Sequence, residues 1–375
     1  MAETWKIPDM KDYPLHIDTG LWSGGHIQGI AVDAEKRYIY YSFTTKFVKA
    51  DLDGNVIGYV TGLTGHLGCI SFNREDGKVY GSVEYKHDSI GRGIMKSTGR
   101  ALADEDAFYC AVFDVDRIDR PDMDAERDGV MKAVWLPDVV EDYSGTGEDG
   151  KPHRYACSGI DGTGFGPAFG TPKDSPLQLF IAYGIYGDVN RSDNDHQVLL
   201  QFDWRKFADV ARPLSQDAPH HSGMRCDRKL FVYTGNTTWG IQNLEYDAYT
   251  DTFMAAVYTG SKPAFGNPPM FFIDRTAAPE TGMLRGLGEE GETLKLAPTG
   301  IEDGMGIPQC GWPRGSTGMY SFGNGYYYFS HGKTATDADG NRRNRSDIRL
   351  CRYNPSLPDR FELAGGEDDG FTGKK

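Results

Sequence analysis

Gly29-Ile-Ala-Val-Asp33, followed after a polar turn by Arg37-Tyr-Ile-Tyr-Tyr-Ser42 and then by Val48-Lys-Ala-Asp51, is the stretch that decides the fold. Each of the three segments is short and rich in β-branched or aromatic residues, which are enriched in strands. Residues 56–60 supply a fourth segment of the same kind. Four consecutive short strands joined by turns are typical of one blade of a β-propeller.

The same order of four segments recurs four more times along the chain. First strands are predicted at residues 68–73, 159–161, 243–247 and 318–322, and fourth strands at 130–136, 229–233, 292–297 and 361–364. The repetition predicts an all-β fold, a five-bladed β-propeller of four-stranded antiparallel blades that forms a single domain over residues 1–375. Residues 141–229 fit the repeat least well, which leaves six or seven blades as alternatives.

The first strand of the chain is predicted to close the ring. The segment Pro14-Leu-His-Ile-Asp18 precedes the first unit and has the alternation of a short strand. Pairing between this segment and the last blade would join the two ends of the chain and leave fewer free strand edges.

Composition excludes some partners. The formal net charge is −14, which argues against nucleic acid or an anionic membrane as partner. No apolar run approaches the ~20 residues that cross a bilayer, and residues 1–5 lack the basic start of a secretory signal. Six cysteines occur without Cys-x-x-Cys spacing, and Cys69, Cys110 and Cys351 fall inside predicted strands. We therefore expect reduced, structural thiols and a cytoplasmic protein. An exported form whose signal has been removed stays open as an alternative, and the sequence leaves the oligomeric state open.

Strand order predicts that many polar side chains meet on one face of the ring, around the entries of the inner strands. Long, dissimilar loops are predicted on this face at residues 86–106, 184–196, 260–269 and 332–347. Such loops on a rigid scaffold are where binding sites are usually built. The proposed catalytic side chains on this face are His26, His66, His87, His331, Glu84 and Tyr183. The proposed substrate-binding side chains are Gln28, Lys86, Trp239, Gln242, Lys262, Trp312, Arg314 and Lys333.

This set of residues fits β-elimination on an acidic, uronate-containing oligosaccharide. The reaction needs a base with a pKa near neutrality, for which a histidine or a tyrosine serves, and positive charge to neutralise the substrate carboxylate. The histidines provide bases, the lysines and Arg314 provide cations, and the two tryptophans could stack on sugar rings. The predicted substrate is a small molecule or an oligosaccharide.

Glycoside hydrolysis is a second reaction that the sequence allows, with Glu84 and Asp161 as the carboxylates that it usually needs. The predicted architecture resembles the five-bladed arabinanase, invertase and related glycosidase propellers. That resemblance implies an acidic residue on the first inner strand. His26 or Gln28 stands at that position here, so no catalytic residue is transferred from those families.

A metal site and a non-catalytic role are also compatible with the sequence. His26, His66, His331 and Gln242 could hold a divalent ion, Mn²⁺ or Ca²⁺, near the propeller axis, although local spacing does not demand it. The ligand types resemble those of the oligogalacturonate lyases, which are also propellers. Fold alone does not decide function, so a sugar-binding or scaffold propeller stays open.

Overall fold

The computed structural model describes residues 9–366, 368 and 370–373, and its regular structure consists mainly of twenty-four strands. In chain order they are β1 (His16–Asp18), β2 (Ile27–Asp33), β3 (Tyr38–Phe43), β4 (Lys46–Asp51), β5 (Val56–Thr61), β6 (His66–Asn73), β7 (Lys78–Tyr85), β8 (Ala107–Phe113), β9 (Met123–Asp124), β10 (Met131–Trp135), β11 (Cys157–Pro167), β12 (Leu177–Ile185), β13 (His196–Phe202), β14 (Arg212–Pro213), β15 (Arg228–Tyr233), β16 (Thr237–Asp247), β17 (Thr252–Thr259), β18 (Met270–Asp274), β19 (Glu280–Met283), β20 (Glu290–Leu294), β21 (Met319–Ser321), β22 (Tyr326–Thr336), β23 (Arg342–Tyr353) and β24 (Phe361–Leu363).

Helices are few and short. They are α1 (Ser89–Thr98), α2 (Pro137–Ser144) and α3 (Phe207–Val210), with single 3₁₀ turns at Met10–Asp12, Val115–Arg117, Arg154–Ala156 and Trp204–Lys206. In the part of the chain that the structure describes, none of the helices is long and apolar enough to cross a membrane.

The strands form five sheets, and each sheet is one blade. Their orders are β2-β3-β4-β5-β9, β6-β7-β8-β10-β14, β11-β12-β13-β15-β20-β19, β16-β17-β18 and β21-β22-β23, with β1 and β24 both paired to β23 in the last. The innermost strands β2, β6, β11, β16 and β21 contact one another in a closed circle. The predicted five-bladed β-propeller is therefore confirmed.

Glycine allows the inner strands to approach closely around the axis. A Cβ atom at Gly29 of β2 would lie 2.9 Å from the backbone nitrogen of Ile70 in β6. A Cβ atom at Gly164 of β11 would lie 2.5 Å from the carbonyl oxygen of Leu244 in β16. Real Cβ atoms do not come so near to backbone, so a side chain at either position would push neighbouring blades apart.

The hydrophobic core lies between successive blades and is built mainly from aromatic rings. Between the first two blades, Phe47 stacks on Phe113 with ring centroids 4.2 Å apart. Between the fourth and fifth, Trp312 packs against Phe329 and Phe361. Such pairs add to the stabilisation that comes from the area they bury.

The ring closes through the first strand, as predicted. In β1, Ile17 pairs with Ile348 of β23, in an antiparallel register that runs from His16 opposite Arg349 to Asp18 opposite Asp347. The strand β24 pairs with the other end of β23. The last blade is therefore completed by residues from both ends of the described chain, which removes a free edge.

The fourth blade departs from the prediction of four strands. The segment predicted as its outer strand, residues 292–297, divides between two blades. Its first part belongs to β20, which pairs in parallel with β15 of the third blade. Only the backbone of Lys295 and Ala297 bonds to β18. The hairpin of β19 and β20 covers the outer edge of the third blade, and a pattern of apolar residues does not specify which of two edges a strand will join.

Two segments predicted as long loops also contain regular structure. Residues 332–347 belong largely to the hairpin of β22 and β23, in which Thr336 pairs with Arg342. The loop after β7 contains α1, which Asp88 caps by accepting hydrogen bonds from the backbone of Ile90 and Gly91. The predicted loop face therefore contains a helix and a long hairpin as well as loops.

Candidate functional site

Two openings lie on the propeller axis. The upper mouth is the opening at which the inner strands begin, and the lower mouth is the opening at which they end. Side chains from four blades lie at the upper mouth in two contacting groups, one of His26, Gln28 and Tyr258 and the other of His66, Asp161 and Gln242. Several of these side chains are positioned by the ends of strands: His26 precedes β2, His66 begins β6 and Tyr258 lies near the end of β17.

His26 forms one half of the upper mouth with two neighbours. Its Nε2 lies 3.2 Å from Nε2 of Gln28 and 3.5 Å from the hydroxyl of Tyr258. The Gln28 amide also donates to the Thr44 hydroxyl at 3.1 Å. The amide nitrogen of Gln28 can only donate, so its contact with Nε2 of His26 favours the neutral tautomer in which Nε2 accepts. The ring is exposed in the opening, yet the surrounding protein lowers the pKa of His26 by desolvation.

His66 and two carboxyl groups form the other half. Nδ1 of His66 lies 3.6 Å from Oδ1 of Asp161 and 3.8 Å from Oε1 of Glu84. Within the described residues, Nδ1 of His66 and Oδ1 of Asp161 are both buried and have no hydrogen-bond partner. Oδ2 of Asp161 accepts a hydrogen bond from the Gln242 amide at 3.0 Å. Unpaired buried polar atoms are uncommon in native proteins and mark this pair as a site of interest.

Burial sets the protonation of both partners. Burial, followed by the positive charge of Lys86, lowers the pKa of His66 to about 3. Burial, followed by the nearby Glu84 carboxylate, raises the pKa of Asp161 well above its usual range. Both shifts favour the uncharged form, a neutral imidazole for His66 and a carboxylic acid for Asp161.

Glu84 and Lys86 form a buried ion pair beside the site. The Lys86 ammonium lies 2.6 Å from Glu84 Oε1 and 3.4 Å from Asp88, and it also donates to the carbonyl of Ser158. Glu84 Oε2 accepts from the backbone N–H of Ile160 at 2.8 Å. Burial opposes the charge on Lys86, but the two carboxylates raise its pKa overall. The ammonium of Lys86 is therefore surrounded by protein partners, and the residue is 3% exposed.

The other cations predicted to bind substrate are also occupied by protein groups. Lys262 is buried and donates to Asp195, to Oδ1 of Asn194 and to a backbone carbonyl. Lys333 pairs with Asp347 in the last blade. Arg314 donates to a backbone carbonyl and lies over the ring of Phe371. Burial contradicts the prediction that Lys86 and Lys262 bind substrate, whereas the side chain of Lys333 is 39% exposed and its role stays a prediction.

Two aromatic predictions are wrong for a different reason. Trp312 is 0% exposed and packs in the core between the fourth and fifth blades, so it cannot stack on a sugar. Tyr183 is also 0% exposed and lies in the core between the second and third blades. Trp239 is half-buried, with its ring centroid 5.8 Å from that of Tyr186, and its backbone carbonyl accepts from Gln242. Of the two tryptophans, Trp239 is the one that stands beside the upper mouth.

The other two of the four histidines have different neighbours. His87 follows β7, is exposed and pairs with Asp106 at 3.0 Å next to α1. His331 lies in β22 opposite Asp347, with its ring centroid 6.0 Å from that of Phe371. The described residues contain no group of three or more His, Cys, Asp or Glu side chains placed to hold a metal ion. The expected set of His26, His66, His331 and Gln242 is thus not assembled as a metal centre.

Two residues of the site were not predicted to act in it. Tyr258, at the end of a predicted second strand, was placed on the same face of the ring but given no role, and its place beside His26 depends on a contact between the fourth and first blades. Asn243 donates from its amide to the carbonyls of Gln28 at 2.8 Å and Ser316 at 3.1 Å. These bonds tie three blades together just below the upper mouth. In the sequence, the only sign of this role of Asn243 was that a polar asparagine stands in a predicted inner strand.

Comparison with known proteins adds little to this geometry. No family model matches the chain, and no curated protein matches it. Among solved structures the chain is similar to one described as "Structure of Dos1 propeller", at 7% sequence identity and a TM-score of 0.28. That match covers 86% of this chain and 78% of the other. So loose a superposition carries no argument, and the assignment to the five-bladed β-propellers rests on the strand pairing described above.

Proposed function

We propose that the upper mouth is the active site of an enzyme that cleaves an acidic oligosaccharide by β-elimination. The observation that carries the proposal is the meeting of a neutral base, a phenol and a neutral carboxylic acid from different blades. His26 lies within 3.5 Å of the Tyr258 hydroxyl, and Asp161 lies 3.6 Å from His66. This combination suits general acid–base catalysis in a pocket whose nearby lysine, Lys86, is already paired within the protein.

Each group has a distinct role in the proposed reaction. Nε2 of His26 removes the proton next to the uronate carboxylate. The electron pair forms a carbon–carbon double bond, the glycosidic C–O bond at the next carbon breaks, and Tyr258 gives its proton to the departing oxygen. His26 then returns a proton to the Tyr258 phenolate across 3.5 Å, so both groups regain their starting forms.

Asp161 takes the role that was expected of the cations. A protonated carboxylic acid can donate a hydrogen bond to the substrate carboxylate and stabilise the charge that develops when the neighbouring proton leaves. His66 lies against Asp161 and acts as a positioning residue. Glu84 is held by Lys86 and by the Ile160 backbone, which argues against a part for it as the nucleophile of a hydrolase.

Two readouts on the same samples test the proposal. The protein is incubated with a panel of uronate-containing glycans, and the ultraviolet absorbance of an unsaturated uronate is followed together with the appearance of new reducing ends. We expect both signals to rise in step. Carboxyl-reduced forms of the same glycans are the matched control and should give neither signal. New reducing ends without absorbance would indicate hydrolysis instead, and no signal with any member of the panel would contradict the proposal.

A further inference from the structure

Strand β11 is irregular where it passes the upper mouth. In its pairing with β12, Ile160 lies opposite Tyr183, but Gly162 lies opposite Ala182. Asp161, between them, is therefore an extra residue without an opposite number in β12, which defines a β-bulge. A second register shift of the same kind lies at the start of the strand.

The bulge at Asp161 changes the direction of the side chains. In a regular strand, residues two positions apart face the same side. Ile160 packs in the core between the second and third blades, whereas a Cβ atom at Gly162 would lie 2.9 Å from Cγ2 of Ile241 in the fourth blade. Asp161 lies between these opposite directions, and its carboxyl extends into the upper mouth beside His66. Bulges next to functional sites often re-aim a side chain in this way.

The buried pair of Glu84 and Lys86 holds β11 on both sides of one glycine. Lys86 donates to the carbonyl of Ser158, and Oε2 of Glu84 accepts from the N–H of Ile160 at 2.8 Å. Gly159 stands between these two bonds with a φ of 121°. A Cβ atom there would lie 2.0 Å from Oε2 of Glu84 and 2.7 Å from Nζ of Lys86. The pair thus fills the space that a side chain would need, beside a backbone conformation that favours glycine.

A third side chain of the second blade completes this contact. The Ser82 hydroxyl donates to the backbone carbonyl of Asp161 at 3.0 Å. Ser82, Glu84 and Lys86 are alternate residues in and directly after β7, so they share one face of that strand. Their bonds end on backbone groups of β11 at and before the bulge. Mutual neutralisation of two buried charges would not require such bonds.

We infer that Glu84 and Lys86 are positioning residues that hold the irregular start of β11 and so direct the Asp161 carboxyl into the upper mouth. Neither side chain then touches substrate, in agreement with an exposed fraction of 3% for each. The placement of Asp161 follows from the geometry, and only its effect on turnover rests on the proposed function.

The double variant Glu84→Met with Lys86→Met separates positioning from stability. Apolar replacement of a whole buried ion pair is often neutral for stability, yet here it also removes both bonds to β11. The nuclear magnetic resonance signal of the Gln242 side-chain amide, which donates to Asp161 at 3.0 Å, reports the carboxyl position without substrate. We expect this signal to move upfield in the variant. In Glu84→Gln with Lys86→Met the new amide oxygen can still accept from Ile160, so the signal should stay nearer to that of the parent.

A control and a second variant accompany this measurement. Asp195→Asn with Lys262→Met removes another buried ion pair of the upper face, whose lysine donates only within residues 191–195 among the described contacts, and it should leave the Gln242 signal in place. Gly159→Ala keeps both charges but forces them away from β11, so the signal should move as in the first variant. Circular dichroism verifies the fold of each protein, and Gly159→Ala decides the question if the first variant does not fold.

Turnover on a uronate glycan gives a second readout. In Glu84→Met with Lys86→Met, kcat should fall by roughly 10²-fold and KM should change much less, because a misplaced acid acts mainly on charge that develops in the transition state. An unmoved Gln242 signal in a folded variant, or an equal movement in the control, would overturn the inference. A moved signal in a protein whose parent shows no turnover would contradict the proposed function and leave the placement of Asp161 supported.

Discussion

The two mouths of the propeller use opposite ends of the same inner strands for different chemistry. At the upper mouth, polar side chains from four blades form two contacting groups and leave buried nitrogen and oxygen atoms of His66 and Asp161 unpaired among the described residues. At the lower mouth, aromatic rings surround one acid and one guanidinium. Burial favours the neutral form of His26 and Asp161 above and of Glu245 below. In a chain of net charge −14, the functional groups on the axis are the ones that burial keeps uncharged.

His26→Ala tests whether the upper mouth is the catalytic one and has the largest expected effect. Turnover on a uronate glycan should fall by about 10²–10⁴, because the base that removes the proton is lost. The melting temperature should change little, since the ring is exposed. His87→Ala is the matched control, as it removes an exposed histidine that pairs with Asp106 outside the cluster. Equal activity of the two variants would show that His26 is not the catalytic base.

Lys86→Met tests whether the buried ion pair of Lys86 and Glu84 stabilises the fold. Removal of one member of a buried ion pair costs about 3–5 kcal/mol of unfolding free energy, because the other charge is left without a partner. Glu84 would then have to take up a proton, so the loss should be greatest above neutral pH and shrink as the pH falls. Urea unfolding at several pH values measures it. The double variant Glu84→Gln with Lys86→Met should recover part of the stability, and no recovery would argue against the pair as the cause.

Asp161→Asn tests the neutral acid of the upper mouth. Turnover should fall by about 10²–10³, as expected when one donor to a developing negative charge is removed. In the parent protein the rate should rise with pH as His26 becomes neutral, below the ordinary pKa of histidine, and fall when Asp161 ionises at high pH. The variant should keep the rising limb and lose the falling one that belongs to Asp161. An unchanged pH profile would assign the acid to another group.

Glu245→Gln has the smallest expected effect and concerns stability at the lower mouth. The pKa of Glu245 is raised from 4.5 to about 8 in the folded state, so the folded protein binds more protons than the unfolded chain between those values. Stability therefore falls as the pH rises through this window. The variant should show a shallower decline in unfolding free energy between pH 5 and pH 8, measured with urea. The same measurement on Asp161→Asn gives the pH dependence of the unfolding free energy that the raised pKa of Asp161 contributes at the upper mouth.

Much of the scaffold could be predicted because its signals are local. The segment that contains Tyr38–Phe43 has strand composition, and turns bound it within a few residues. The repeat of such units gave the blade count, and the alternation near Ile17 gave the closing strand. The edge chosen by Glu290–Leu294 was not predictable, because both available edges suit the same pattern.

The candidate site could be predicted only in part. Sequence order placed His26, His66 and Gln242 at inner-strand starts, and the structure brings all three to the upper mouth. It did not reveal that Tyr258 meets His26, since residues 232 positions apart contact each other only across the ring. The same limit explains why Trp312 was predicted at the surface and lies in the core.

The sequence by itself determined the strands, their order and the glycines that let inner strands approach, because strand propensity and steric demands depend on each residue and its neighbours. The tertiary structure alone decided which charges are available. Lys262 meets Asp195 from 67 positions away, and Asp161 meets His66 from another blade. Ion pairing and desolvation depend on what lies within a few ångströms, whatever the distance along the chain. The long-range contact occupies Lys262, whereas Lys86 pairs with Glu84 only two positions away, and burial favours the neutral forms of His66 and Asp161 at the upper mouth.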